Sequence, residues 1–248
     1  MQISTSIKNS SFAVYGLGLS GNSTLKFLKK KKVKKIYTWD DKKKKNNNKK
    51  FNSFKKALDK VDYIVISPGI NIQKTKLKLK LSRNKKKIIT DLDLFYMQKI
   101  PVKSIVITGT NGKSTACKLT QHIFKKNKID AKIGGNIGKP ILDLRIKKKS
   151  LIIIEASSFQ LSYTKFIKPT LAAILNITKD HLDWHNTIVN YKNSKLKIFS
   201  NQDSKDIALL NNKKLIKLFQ KKKYLSKLKI IKRNTLSKTL KKKITNNY

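Results

Sequence analysis

The sequence predicts an α/β protein made of two successive units, each a mainly parallel sheet with helices. Three observations carry this. Short apolar runs alternate with helical stretches. A strand, glycine turn and helix follow one another twice, at "FAVYGLGLSG" (12–21) and at "SIVITGTNGKST" (104–115). The whole pattern restarts around residues 97–103. Strands that alternate with helices imply right-handed crossovers and a parallel sheet. With the boundary near residue 98, the expected division is 1–97, 98–220 and a Lys-rich tail over 221–248 of weak periodicity.

In the first unit, "FAVYG" (12–16) is a short apolar strand and "GLGLSG" (16–21) a glycine turn. A helical stretch with Leu25 and Leu28 on one face follows. "VKKIYTWD" (33–40) alternates like a strand and ends at Asp40 and Asp41, a spacing like that of a dinucleotide-type βαβ unit. "VDYIVISPGI" (61–70) is a third strand, broken by Pro68 and Gly69. In the second unit "SIVIT" is a strand, and "TACKLTQHIFKKN" reads as a helix with Leu119 and Ile123 at i and i+4. "LIIIEA" (151–156), "LAAILNI" (171–177) and "DIALLN" (206–211) are further strands.

Composition narrows the class. The 248 residues are 39% hydrophobic, enough for a buried core. One cysteine, Cys117, excludes a disulfide framework, and no Cys/His cluster of metal type occurs. No signal-type apolar region opens the sequence, and no apolar run approaches the ~18 residues of a membrane helix. The expectation is a soluble cytoplasmic protein, a monomer with no membrane contact. The net charge of +46 invites a nucleic-acid reading. The lysines are dispersed, however, in runs at 29–32, 42–45, 85–87, 147–149, 221–223 and 241–243, without interleaved aromatics. Arginine occurs only at 83, 145 and 233. That bias resembles AT-rich coding drift, so only sequence-blind, low-salt binding to nucleic acid is expected.

The second glycine loop carries the clearest chemistry. A strand that enters glycines and then a helix aims backbone N–H groups at one point, where the helix adds its partial positive charge. Lys113 supplies a mobile charge for terminal phosphates, and Ser114 stands where a P-loop hydroxyl binds Mg²⁺. This suits a nucleoside triphosphate. One departure is Ile107, where the full motif has glycine; the plain alternative is a tight turn beside a chance lysine. The first loop, G-x-G-x-x-G by spacing (Gly16, Gly18, Gly21), suits a dinucleotide or another diphosphate. Glu155 ends an apolar strand, where a carboxylate in a parallel sheet faces the ligand crevice.

Together these motifs resemble the Mur ligases, the cytoplasmic enzymes of peptidoglycan synthesis. "GTNGKST" (109–115) is similar to their ATP loop, which folylpolyglutamate synthases share. "EASSFQL" (155–161), "GLGLSG", "SPGI" (67–70), "TDLDLF" (90–95), "GGNIG" (134–138) and "LNITKDHLDWH" (175–185) resemble the D-glutamate-adding branch. The resemblance implies an N-terminal Rossmann-like domain for the UDP moiety, a P-loop-type central ATPase domain with a mainly parallel sheet, and a third domain. It implies an ATP-dependent carbon–nitrogen ligase that joins D-glutamate to UDP-N-acetylmuramoyl-L-alanine through an acyl phosphate, with Mg²⁺.

By the same resemblance, ATP contacts fall to Gly109, Thr110, Asn111, Gly112, Lys113, Ser114, Thr115 and Gln160. Substrate contacts fall to Gly18, Leu19, Ser20, Gly21, Asp40 or Asp41, Ser67 and Asn136. Ser114 and Glu155 are first-metal ligands; His181 and a carbamylated Lys195 serve a second metal, and Lys113, His181 and Lys195 are the catalytic set. Plain readings stand beside these: Asn136 as a turn asparagine, His181 as structural, and Lys195 as a surface lysine, with Lys192 and Lys197 close in register. No later D-[NS]-S-K-A-T segment and no match to the third domain is found, so a truncated product is expected, at best a weak ATP binder. The alternatives are a nucleotide-binding remnant without ligase activity and a sister ligase such as folylpolyglutamate synthase.

Overall fold

The computed structural model describes residues 6–42 and 47–231. Two sheets organise it, and every recorded strand pair in both is parallel. The first unit runs β1 (Phe12–Tyr15), α1 (Leu19–Lys30), β2 (Ile36–Trp39), α2 (Asn48–Lys60), β3 (Tyr63–Ile66), α3 (Lys78–Arg83), β4 (Ile88–Ile89) and α4 (Asp91–Met97). Its strand order is β2-β1-β3-β4. The second runs β5 (Lys103–Thr108), α5 (Lys113–Lys126), β6 (Ala131–Gly135), β7 (Leu151–Glu155), α6 (Ser158–Tyr163), β8 (Leu171–Ile174), α7 (Leu182–His185), α8 (Ile188–Leu196), β9 (Ile207–Leu210), α9 (Lys213–Lys221) and β10 (Lys227–Ile230), with order β10-β9-β8-β5-β7-β6.

Phe12 to Tyr15 are all fully buried, as are Ile152 to Ile154, because a parallel sheet is covered on both faces. In each sheet the order in which strands are added reverses beside a glycine loop. β1 is followed by β2 on one side and β3 on the other; β5 has β7 on one side and β8 on the other. Open α/β sheets bind ligands at such switch points, beyond the strands' carboxyl ends.

Three expectations need correction. α5 forms, but Leu119 and Ile123 are 57% and 51% exposed. The helix instead lays Cys117 and Phe124 against the sheet, because the face that reaches β5 is rotated from that pair. The tail boundary at 220 cuts through an ordered region: β10 pairs in parallel with β9 from Lys227 to Ile230. Alternating Lys and aliphatic residues suit an exposed edge strand, where lysine discourages further pairing. The rest of the tail, 232–248, lies outside the described residues, as does most of the lysine run at 42–45. Thirdly, the segment before residue 98 serves both units. α4 sends Leu92 and Phe95 into the second core, and Leu94 and Met97 into the first. No helix among the described residues is long and apolar enough to cross a membrane.

Candidate functional site

The loop after β5 is held open by neighbours rather than by itself. Asn176, just beyond β8, accepts the N–H groups of Thr110 and Asn111 at 3.0 and 2.9 Å through Oδ1, and donates to the Asn111 carbonyl at 3.0 Å. The Thr110 hydroxyl lies 3.1 Å from the Tyr191 hydroxyl and accepts the Thr178 N–H at 3.0 Å. Gly112 has φ +79, a conformation that favours glycine, and it caps α5. The N–H groups at the start of α5 are thereby aimed past the loop crest, where Asn111, Gly112, Ser114 and Thr115 are exposed. Lys113 folds back, donating through Nζ to the Gly109 and Thr110 carbonyls at 3.0 and 2.7 Å. It rests there as a charge held on the loop's own carbonyls. Ile107, the departure from the motif, is a buried residue of β5, so the loop is simply shorter.

Glu155 ends β7 beside this loop and is 2% exposed. Oε2 accepts the Ser114 hydroxyl at 2.7 Å, and Oε1 accepts the Asn136 amide at 3.0 Å. Asn136 also donates its backbone N–H to the Glu155 carbonyl at 2.8 Å. The close approach needs Gly135, because a Cβ there would stand 2.4 Å from that carbonyl. Among the described residues Glu155 takes part in none of the recorded ion pairs. A buried carboxylate and a hydroxyl are hard oxygen donors, which fits Mg²⁺. No group of three or more His, Cys, Asp and Glu suited to a metal occurs among the described residues.

Lys195, on α8, is 1% exposed, so the plain surface reading fails. Its Nζ donates to the Gly109 carbonyl at 2.7 Å and lies 4.7 Å above the Tyr191 ring. Burial, then the nearby Lys113 charge, pull its pKa from 10.5 to about 7. His181 stands at the start of α7 with φ +51 and its ring 4.8 Å from that of Phe159. Its Nε2 is 3.4 Å from Asp180 Oδ2, and it is 45% exposed on its side chain. Among the described residues no hydrogen bond joins it to Lys195 or Glu155. His185 is buried, 3.0 Å from the Ser158 hydroxyl through Nε2, and burial together with the charges of Lys195 and His181 lowers its pKa to about 4.

The first glycine loop borders a cavity of about 710 Å³. Gly18, Leu19, Ser20, Asp40, Asp41 and Ser67 line it from the first unit, and Asn136 and Gln160 from the second. Gly16 and Gly21 make the turn possible: a Cβ on Gly21 would stand 1.8 Å from the Gly16 carbonyl oxygen. Ser67 donates its hydroxyl to that same oxygen at 2.7 Å. Asp40 accepts the Leu17 N–H at 2.5 Å. Asp41 accepts the Tyr15 hydroxyl at 2.5 Å and the Trp39 indole N–H at 2.7 Å. The two acids are therefore distinct: Asp40 fixes the glycine turn, and Asp41 is oriented by two aromatic side chains.

Gln160 departs from its expected place among the phosphate contacts. Its oxygen accepts from the Ser157 N–H and hydroxyl at 3.1 Å each, and its amide donates to Asp91 at 3.2 Å. It caps α6 and borders the substrate-side cavity. Asn176 and Tyr191 are functional residues that the sequence reading missed. Asn176 lies in the quoted "LNITKDHLDWH" and Tyr191 six residues beyond its end, and neither residue type nor spacing marked them.

Known proteins bear on this geometry. A family model described as "Mur ligase middle domain" matches residues 107–247, and one described as "Mur ligase MurD-like, N-terminal domain" matches residues 10–89. The UDP-N-acetylmuramoylalanine--D-glutamate ligase of Aquifex aeolicus is 37% identical over 202 residues, which cover 81% of this chain and 46% of that protein. The ligase of the same name from Caldicellulosiruptor bescii is 34% identical over 220 residues, 83% of this chain and 48% of that one. The chain thus spans about half the length of these curated relatives. The crystal structure of UDP-N-acetylmuramate:L-alanyl-gamma-D-glutamyl-meso-diaminopimelate ligase from Neisseria meningitides is similar in fold, with a TM-score of 0.53 at 13% identity, covering 90% of this chain and 78% of that one.

Proposed function

The chain belongs to the Mur ligase family, and from that premise we propose that it binds ATP and UDP-N-acetylmuramoyl-L-alanine for a ligase that adds D-glutamate in cytoplasmic peptidoglycan synthesis. The observation that carries the reading is the line Ser114–Glu155–Asn136. It runs from the ATP loop, through a buried carboxylate, to the wall of the first unit's cavity. A carboxylate is a poor electrophile, and ATP activates it as an acyl phosphate that an amine then attacks. The protein's work is to align two anions that repel each other. Residues 1–97 hold the UDP moiety, through Gly18 to Gly21, Asp40, Asp41 and Ser67. Residues 98–220 hold ATP, through Gly109 to Thr115.

In this reading Ser114 and Glu155 hold Mg²⁺, which supplies charge neutralisation between the phosphates and the carboxylate. Lys113 moves from its loop carbonyls to the terminal phosphates. As a neutral amine, Lys195 could add its nitrogen to the carbon of CO₂, forming an N–C bond and giving up one N–H proton to solvent, and the resulting carbamate would serve with His181 to hold a second Mg²⁺. A pKa pulled to about 7 leaves much of the amine neutral at physiological pH, which supports that step. The protein is a monomer, and the dispersed lysines bind nucleic acid only without sequence preference at low salt. The N-terminal match favours this branch over folylpolyglutamate synthase.

Calorimetry tests the two ligands separately. ATP with Mg²⁺ and the UDP sugar should bind without competing, and Glu155→Gln should remove the Mg²⁺ dependence of ATP affinity. Binding of NAD(H) at micromolar concentration with none of the UDP sugar would reverse the assignment of the first loop. Labelled bicarbonate should give a carbamate carbon signal in NMR that disappears in Lys195→Met.

A further inference from the structure

A second cavity, of about 540 Å³, lies between the segment 71–88 of the first unit and the segment 162–197 of the second. It is within the usual size of small-molecule sites. Lys85, Lys165 and Lys197 line it, and no Asp or Glu does. Two of the ammonium groups are pinned there by backbone. Lys165 donates through Nζ to the Lys85 carbonyl at 2.8 Å, and also to that of Lys86; Lys197 donates to the Ser162 carbonyl. Burial lowers the pKa of both lysines, and the neighbouring lysine charges lower them further. The one carboxylate that opposes this, Asp93, is wholly buried and already accepts from Thr164, Lys165 and Phe166 on one oxygen and from Thr90 on the other. Trp184 forms part of the wall, and its indole N–H has no hydrogen-bond partner among the described residues.

We propose that this cavity is an anion site, distinct from the ATP loop and adjoining the first unit's cleft across Asn71 and Trp184, which takes a small phosphate-bearing molecule of two or more charges. Three lysines from both units line it without an acidic neighbour in its lining, and a bound anion offsets the like charge that Lys85 and Lys165 place beside Lys197. Asn190, whose amide already donates to the His185 carbonyl at 3.0 Å, and Asn193 add polar groups to the wall. A ligand here touches both units at once.

The full chain carrying Lys113→Ala, which silences the ATP loop, is titrated with pyrophosphate and separately with ADP at ~0.15 M salt, where exposed charges are screened beyond about 8 Å. Calorimetry gives the affinity. Trp184 emission, isolated by Trp39→Phe, reports binding at either cavity that Trp184 borders, and the lysine variants assign the position. Pyrophosphate should bind saturably and change that emission. Lys85→Gln and Lys165→Gln together should weaken it by about tenfold or more with the melting temperature nearly unchanged, and Lys118→Gln, an exposed lysine of α5, should not. Equal affinity for pyrophosphate and ADP identifies the phosphate group alone as the ligand; tighter ADP identifies a nucleotide. Lack of saturable binding by either, or an equal loss in Lys118→Gln, overturns the proposal.

Discussion

The two glycine loops share a plan and differ in what they leave unspent. Both follow a buried parallel strand, both precede a helix, and both stand where the order of strand addition in their sheet reverses. The first is closed on itself: Gly21 abuts the Gly16 carbonyl, Ser67 donates to that carbonyl, and Asp40 takes the Leu17 N–H. What remains is a wall, with Asp41 held at its edge by Tyr15 and Trp39. The second loop delegates its support to Asn176, Tyr191 and Thr178, and keeps a lysine, a hydroxyl and helix N–H groups for a ligand. A wall with oriented acceptors suits recognition of a sugar nucleotide, and a crest of donors suits a triphosphate. One local topology thus serves two roles, according to where its backbone donors are spent.

The largest test of this contrast removes the mobile charge. Lys113→Ala should weaken ATP binding by about a hundredfold, roughly 2.7 kcal/mol, with UDP-sugar affinity and folding stability unchanged in calorimetry and urea titration. Loss of both ligands together would break the division of labour. Gly21→Ala should do the converse. The added methyl must push the Gly16 carbonyl aside, costing about 1–3 kcal/mol of stability and the UDP-sugar site, while ATP still binds.

Asn176→Ala comes next. It leaves the Asn111 N–H without its acceptor, while the Thr110 N–H keeps the Asn176 backbone carbonyl at 3.0 Å; the cost is about 1–3 kcal/mol where such a group is buried and less here, because Asn111 is exposed. ATP affinity should fall by about tenfold with the UDP sugar unaffected.

The smallest effects are in pH. His185 has its pKa lowered from 6.5 to about 4, so the unfolded chain takes up the proton first, and stability falls as pH drops from 6.5 toward 4. Lys195 is lowered from 10.5 to about 7, so the cost of burying its charge is fully present below pH 7 and fades as pH rises toward 10.5. Urea titrations across pH should show a shallower fall toward acid pH in His185→Phe and a shallower alkaline rise in Lys195→Met, with Lys197, lowered to about 8, supplying part of the alkaline slope that remains. Slopes unchanged by both substitutions would place the titration elsewhere.

Much of the architecture was legible because its signals are local. Apolar runs and glycine turns mark β1, β3, β5 and β7, and the ends of those strands mark Gly16, Ser67, Gly109 and Glu155. What was illegible depends on distance along the chain. Asn176 meets its partners 65 and 66 residues away, and nothing in "ILNI" announces that. Helical spacing paired Leu119 with Ile123, but periodicity does not say which face meets the sheet. β10 was hidden because lysine is common in loops and edge strands alike. Gln160 carried a motif position, yet its amide is engaged by Ser157 and by Asp91, 69 residues away.

The position of β5 within its sheet also fixes how the molecule breathes. β5 is hydrogen-bonded on both sides, to β7 and β8, and is buried from Ser104 to Thr108, whereas β2 is an edge strand paired only with β1. Amide hydrogens of Ile105 to Ile107 should therefore exchange with deuterium only when the second unit opens as a whole, and those of Ile36 to Trp39 through local fraying. The loop of Lys113 hangs from an interior strand of its unit, and Asp40 and Asp41 hang from an edge strand.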